Sequence, residues 1–410
     1  LKVSLNGQDS TREGLFFEFR REPQVLMISP SSGPRSGGTD IEIFGNNFLR
    51  WSGNVRCVFG NITSTPARWV SRTRVTCSSP VADQYVELTD NSSNSTSRSA
   101  VSFAIQDMYR GVYFASEATL SFTFQSETFV SSFHPAFSSL GSISTVVTVR
   151  GRGFYFTATL QCRFGNLTVR AKFVNQSCVQ CLAPQAKVPG PVSIGVTNNG
   201  KDFFASEAPF HYVKSPRILQ IVPSSVEFNS ERKFITLLGA HFLLPNPNSN
   251  VTGVGTVTAP SVFMCQFGDM QATVGAVVND SSIQCILPNV PQSEVSDDMT
   301  VQVQVIMNGY DLSNRDISFS FTRPVVATDA SPRSGHIRGG YTVLVEGLNF
   351  IDSVHLQCRF GKVPSVAVWL SSSAIRCHVP PARQGGTIGG KVSLGVSNNG
   401  VDFVPVGNAV

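Results

Sequence analysis

Cys57-Val58-Phe59-Gly60, closing at Val75-Thr76-Cys77-Ser78-Ser79-Pro80, is the stretch that decides the fold, because it returns three more times. The second copy is Cys162-Arg163-Phe164-Gly165 with Val179-Gln180-Cys181-Leu182-Ala183-Pro184. The third is Cys265-Gln266-Phe267-Gly268 with Ile283-Gln284-Cys285-Ile286-Leu287-Pro288. The fourth is Cys358-Arg359-Phe360-Gly361 with Ile375-Arg376-Cys377-His378-Val379-Pro380. The two cysteines stand 20, 19, 20 and 19 positions apart. A period of this regularity marks a repeat architecture.

The repeat extends outward on both sides. Upstream, a proline leads through an apolar alternation to Gly-x-x-Phe: Pro30 to Gly45 and Phe48, Pro135 to Gly151 and Phe154, Pro223 to Gly239 and Phe242, Pro332 to Gly347 and Phe350. Downstream, in the last three copies, a period-2 strand runs into Asn-Gly: Val192 to Val196 then Asn199-Gly200, Val303 and Val305 then Asn308-Gly309, Val392 to Val396 then Asn399-Gly400. Alternation around Asn-Gly predicts a hairpin in which both turn residues take positive φ. Helical periodicity is absent over any useful length. Each copy therefore reads as an all-β unit of about seven short strands, the number a sandwich needs.

The run Ile28-Ser29-Pro30, Gly37-Gly38-Thr39, Ile43-Phe44-Gly45, Phe48, then Cys-x-Phe-Gly and Cys-x-x-Pro resembles the IPT/TIG domain, the immunoglobulin-like sandwich of plexins and some transcription factors. The last copy carries the same marks at Ser331-Pro332-Arg333-Ser334-Gly335 and Gly339-Gly340; the third departs from them, with residues 227–233 in place of the Gly-Gly stretch. The resemblance implies tandem immunoglobulin-like β-sandwich repeats in an extended array, joined by short linkers such as Phe210-His211-Tyr212-Val213-Lys214-Ser215-Pro216. The expected division is residues 1–22 as the final strands of a preceding repeat, then repeat 1 (23–125), repeat 2 (126–213), repeat 3 (214–322) and repeat 4 (323–410, its closing strand incomplete).

Four cysteine pairs at constant spacing predict one bridge per repeat: Cys57 with Cys77, Cys162 with Cys181, Cys265 with Cys285, Cys358 with Cys377. Closing a loop of that size contributes about 3 kcal/mol on the chain-entropy account. Cys181 is chosen over Cys178 by register with the other repeats. The ninth cysteine, Cys178, is left as an unpaired thiol, read first as a small packed hydrophobe and second as a link to another chain. Zinc is the rival use of these cysteines, but only Cys178 and Cys181 have Cys-x-x-Cys spacing and no second pair is near. Disulfides place the chain in an oxidising compartment, extracellular or at the cell surface. Asn61, Asn91, Asn94, Asn166, Asn175, Asn250 and Asn279 each open an Asn-x-Ser/Thr sequon, so N-linked glycans are expected on some of them.

Composition narrows the function. With 41% hydrophobic and only 14% charged residues, each unit can bury a core, and disorder is not expected. The net charge of +5 is scattered along the chain rather than gathered into a basic stripe, which disfavours nucleic acid. No apolar run approaches the roughly 20 residues of a spanning helix, so no membrane contact is expected within this segment. His134, His211, His241, His336, His355 and His378 are isolated and no hydrolase or kinase motif is present; catalytic and metal residues are therefore read as none, and cofactors as none. A P-loop-like run from Gly195 to Gly200-Lys201 fails at Asp202, where a Ser/Thr should stand, and Asp297-Asp298 lack the spacing of a calcium loop. The expectation is a non-enzymatic extracellular scaffold, structural or adhesive, as in a cell-surface or ciliary fibre, with other extracellular proteins or copies of itself as partners. The alternative is the stalk of a plexin-like receptor; an accessory module of a secreted enzyme ranks third.

Overall fold

A computed structural model describes residues 4, 7–9, 21–50, 55–61, 63–82, 98–108, 111–116, 119–228, 232–244, 263–290, 298–382 and 390–407. Among the described residues the secondary structure is strand throughout, with no α-helix. Repeat 1 shows the plan. One sheet holds the strands Gln24–Ser29, Asp40–Asn46, Arg74–Ser78 and Arg68–Ser71 in that order. The other runs Ser32–Pro34, Ser121–Gln125, Arg98–Asp107, Val55–Phe59, Thr63–Pro66. The first strand thus changes sheet at Pro30, whose peptide bond with Ser29 is cis, and then pairs parallel with the closing strand, Ser32 beside Thr123. Pro135, Pro223 and Pro332 also follow cis bonds. In repeats 2 and 4 one nine-residue strand, Leu167–Asn175 or Val363–Ser371, pairs with both sheets and joins them along one edge.

The alternation in the sequence is the burial pattern. Ile41, Ile43 and Val75 from one sheet meet Phe59, Ile105 and Phe122 from the other, all with no exposed surface. Burying each such side chain contributes about 1.5–3 kcal/mol. The phenylalanine of Cys-x-Phe-Gly is the hub: Phe59 meets Phe122 edge-on at 5.5 Å, Phe164 meets Phe210 at 5.1 Å and Phe267 meets Phe319 at 5.8 Å. Gly-x-x-Phe has an equally direct cause. A Cβ on Gly45 would lie 2.0 Å from the Gln24 carbonyl oxygen and 2.6 Å from the Phe48 ring; on Gly347 it would lie 2.0 Å from the Val326 oxygen and 2.8 Å from the Phe350 ring. Only glycine lets the bulged first strand and the buried ring close on the same spot.

The Asn-Gly turns differ from the expectation. Both turn residues take positive φ only in repeat 3, at Asn308 (53°) and Gly309 (83°). In repeats 2 and 4 Gly200 (78°) and Gly400 (74°) do so, while Asn199 and Asn399 do not. The turns are not the two-residue kind. The strands resume at Phe204–Ala205, Asp311–Leu312 and Val404–Pro405, and the intervening residues are organised by the asparagine side chain. The Asn199 Oδ1 accepts from the Lys201 and Asp202 amides at 3.0 and 2.9 Å, and Asn399 repeats this with Val401 and Asp402 at 3.0 and 2.9 Å. An asparagine that caps its own turn does not need the left-handed conformation that a tight hairpin would impose.

The chain packs as two compact units, residues 1–136, 146–184 and 191–210 in one, and 137–145, 185–190 and 211–410 in the other. The first holds the core of repeat 1. The second holds the separate cores of repeats 3 and 4, and Phe137 packs against the former.

Candidate functional site

The disulfides sit at the centre of each sandwich. The structure joins Cys57 to Cys77, Cys162 to Cys181, Cys265 to Cys285 and Cys358 to Cys377. Cys178 is free and half-buried at the start of an interior strand of its sheet, paired in register with Arg150 on one side and Asn175 on the other. Its counterpart in repeat 3, Ser282, donates a hydroxyl bond of 2.9 Å to Asn279 Oδ1.

The sequons among the described residues fall on hairpin tips. Asn61 and Asn166 follow the Phe-Gly turns, and Asn175 and Asn279 sit at the next hairpin; all four are exposed. The Oδ1 of Asn175 accepts from the amide and hydroxyl of Ser177, both at 2.9 Å, and Asn279 does the same with Ser281 at 2.9 and 2.9 Å. These turns use the amide oxygen, not the nitrogen to which a sugar attaches. Asn91, Asn94 and Asn250 lie outside the described residues.

No catalytic constellation forms from the histidines. His134, His336 and His378 are exposed, and His211, His241 and His355 are half-buried at separate places. Burial lowers the His211 pKa and pushes Tyr212 beside it up to about 12. Among the described residues no three His, Cys, Asp or Glu side chains stand close enough to hold a metal. Asp298 faces Arg323 at 3.6 Å, and Asp297 lies outside the described residues.

The residues that do come together are ones sequence reasoning passed over. Asp202, noted only as a defect in a P-loop, accepts 2.7 Å from the Thr39 hydroxyl of repeat 1 and 2.8 Å from Asn199 Nδ2. The same Asn199 Nδ2 donates 2.8 Å to the carbonyl of Ser32. In repeat 3, Asn308 Nδ2 donates 2.8 Å to the carbonyl of Phe137, and Asp311 accepts from the Ser139 amide at 2.6 Å, from Thr145 at 2.7 Å and from Ser142. In repeat 4, Asn399 Nδ2 donates 2.8 Å to the carbonyl of Ser225, and Asp402 pairs with Arg232 of repeat 3 at 2.6 Å. A signal was present: Asn199-Gly200-Lys201-Asp202, Asn308-Gly309-Tyr310-Asp311 and Asn399-Gly400-Val401-Asp402 all read Asn-Gly-x-Asp.

The sequence profile of the IPT/TIG domain matches residues 23–123, 129–212, 216–321 and 325–409, nearly the whole chain. The chain belongs to the IPT/TIG family. Among curated proteins its IPT/TIG repeats are similar to plexin A3 of Danio rerio, 22% identical over 395 residues, 87% of this chain and 18% of that one. They are also similar to human fibrocystin-L, 24% identical over 393 residues, 95% of this chain and 8% of that one. The chain therefore spans less than a fifth of these relatives. Among solved structures, the full extracellular region of plexin A4 matches at TM-score 0.33 and 12% identity, over 92% of this chain and 36% of that one. Disulfide-bonded IPT/TIG repeats belong to the oxidising side of the membrane, and this is an extracellular or cell-surface segment. No helix of the described residues is long and apolar enough to cross a membrane.

Proposed function

We propose that this segment is a structural or adhesive scaffold whose IPT/TIG repeats space and present surfaces for other extracellular proteins or for further copies of itself, with N-linked sugar on its hairpin tips. The observation that carries the reading is where the interactions lie. The disulfides and aromatic clusters close the sandwiches, and buried polar side chains, Thr39, Thr145, Asn199, Asp311 and Asn399, bond from one repeat to the next. That is the distribution of a protein whose task is holding parts in place.

The sequons at Asn61, Asn166, Asn175 and Asn279 support glycosylation because all are exposed at turns. A receptor stalk is the second reading, favoured by the match to plexin A3 along 87% of this chain. The chain displayed on beads and passed over arrayed ectodomains, itself included, separates the two. Specific lateral binding by the segment alone supports the scaffold; binding that appears only when the segment is part of the whole protein supports the stalk. Intact mass before and after glycosidase treatment tests the sugar, and an unchanged mass removes it from the proposal.

A further inference from the structure

We infer that the Asn-Gly-x-Asp hairpin is a two-part docking key. Its asparagine reads the main chain of the preceding IPT/TIG repeat, and its aspartate reads that repeat's side chains. The proposal deepens the scaffold reading by naming the surface through which repeats engage, but it stands on contacts within this chain and survives if no outside partner is found.

The first part of the key is constant. At Asn199, Asn308 and Asn399 the amide nitrogen reaches the carbonyl of the residue two places after the sheet-switching proline: Ser32 after Pro30, Phe137 after Pro135, Ser225 after Pro223. The distance is 2.8 Å in all three. A backbone carbonyl is independent of sequence, so this bond sets position without selecting a neighbour. The asparagine is suited to both duties: its oxygen folds its own turn while its nitrogen faces outward, and Asn199 and Asn399 are buried in doing so.

The second part varies. The aspartate, three residues on, is held in the key by the same amide nitrogen at 2.8, 3.0 and 2.9 Å. Its remaining capacity meets a threonine hydroxyl in repeat 1, an amide and two hydroxyls in repeat 2, and a guanidinium in repeat 3. Each donor set comes from the stretch following the same proline: Thr39; residues 139–145; Arg232. A carboxylate among hydroxyls and one against a guanidinium are different chemical demands, so the order of the repeats is written in these positions. Residues 6–9 spell the same key, Asn6-Gly7-Gln8-Asp9, and Gly7 has φ of 72° against 78°, 83° and 74° in the others. The partner such a hairpin fits is an IPT/TIG repeat that offers a donor for the aspartate.

The test uses the full chain and amide exchange read by mass spectrometry. Arg232→Ala alters repeat 3 only, 170 residues from the hairpin it contacts. The key predicts that exchange in residues 398–403 of repeat 4 rises about fivefold, the size of a lost interaction of about 1 kcal/mol. Asn399→Asp keeps the oxygen that folds the turn but removes the donor, and raises exchange both there and at residues 224–228. Arg232→Lys, which keeps the cation, retains most of the protection, and residues 198–203 at the joint between repeats 1 and 2 stay unchanged in every variant. If the hairpin is only a self-capped turn, Arg232→Ala leaves residues 398–403 as they were, or Arg232→Lys raises exchange there as much as Arg232→Ala does. Either result overturns the proposal.

Discussion

The contact between repeats 1 and 2 and the contact between repeats 3 and 4 are built on one backbone and finished with different chemistry. In both, an asparagine amide sits 2.8 Å from a carbonyl at the same place in the preceding repeat. In the first, the aspartate then takes a fully buried threonine hydroxyl, with no full positive charge involved. In the second it takes Arg232, where the two side chains remain 26% and 31% exposed. A neutral donor inside protein and a guanidinium at a half-open rim can hold the same position, but they answer differently to salt and acid. The family fold specifies where the repeats touch; the individual residues specify under which conditions they stay touching.

The largest expected effect is one that leaves this comparison intact. Replacing both cysteines by alanine in repeat 1 (Cys57 and Cys77) or repeat 4 (Cys358 and Cys377) removes loops of nearly equal length, 20 and 19 residues. Each change costs its own repeat about 3 kcal/mol, read from denaturant-dependent amide exchange. Unequal losses well outside that range would mean the bodies of the repeats differ as much as their contacts do.

Next come Asn199→Asp and Asn399→Asp. Each takes the donor from a carbonyl and sets a second carboxylate beside the first, with an expected loss of about 1–3 kcal/mol at its own contact. Similar losses at the two places confirm the shared backbone part; a large loss at one only would break the comparison there.

Smaller, and discriminating, are Thr39→Val and Arg232→Ala, each expected to cost about 1 kcal/mol in low salt. In about 1 M salt the screening length shrinks to roughly 3 Å, and the Arg232 effect should shrink with it while the Thr39 effect persists. Equal salt sensitivity would show that the chemical difference is immaterial.

The smallest effect is with pH. Burial pushes the Asp402 pKa up, but the hydrogen bonds from Arg232 and Asn399 and the charge of Arg232 outweigh it, leaving a net value below the ordinary carboxylate range. A depressed folded value means stability that is present above the unfolded pKa and lost as pH falls through the folded one. Glu227 moves the other way: burial raises it, the Val325 amide lowers it, and the Asp402 charge raises it again. It keeps its proton longer folded than unfolded, so it costs stability as pH rises through that window. Acidifying from neutral should therefore first strengthen the contact between repeats 3 and 4 slightly, then weaken it. Glu227→Gln should remove the first phase and leave the second. At the matching position in repeat 1 stands Pro34, and that part of the rise should be missing there.

Much of this was legible without coordinates because its causes are local. Gly-x-x-Phe, Cys-x-Phe-Gly and the period-2 strands each reflect contacts inside one sandwich, and such contacts recur wherever the sandwich does. The Asn-Gly signal locates the hairpins and the positive φ of both turn residues in repeat 3, but not the geometry of repeats 2 and 4. It takes a tight turn for granted, whereas here the asparagine side chain folds a longer one. The aspartates were missed for another reason. Asp202 and Thr39 lie 163 residues apart, and Asp402 and Arg232 lie 170 apart, with partners that share no residue type.

The sequence by itself determined the family, the all-β sandwich, the four-fold repetition and the core of each repeat, because alternation and close packing impose themselves on nearest neighbours along and across a strand. Only the tertiary structure decided that Asn-Gly-x-Asp faces the preceding repeat, and that its carboxylate is met by a hydroxyl in one place and a guanidinium in another. A backbone carbonyl accepts a hydrogen bond whatever side chain it carries, so half of this contact leaves no mark in the sequence. The other half is a pairing in space between residues that local pattern does not connect.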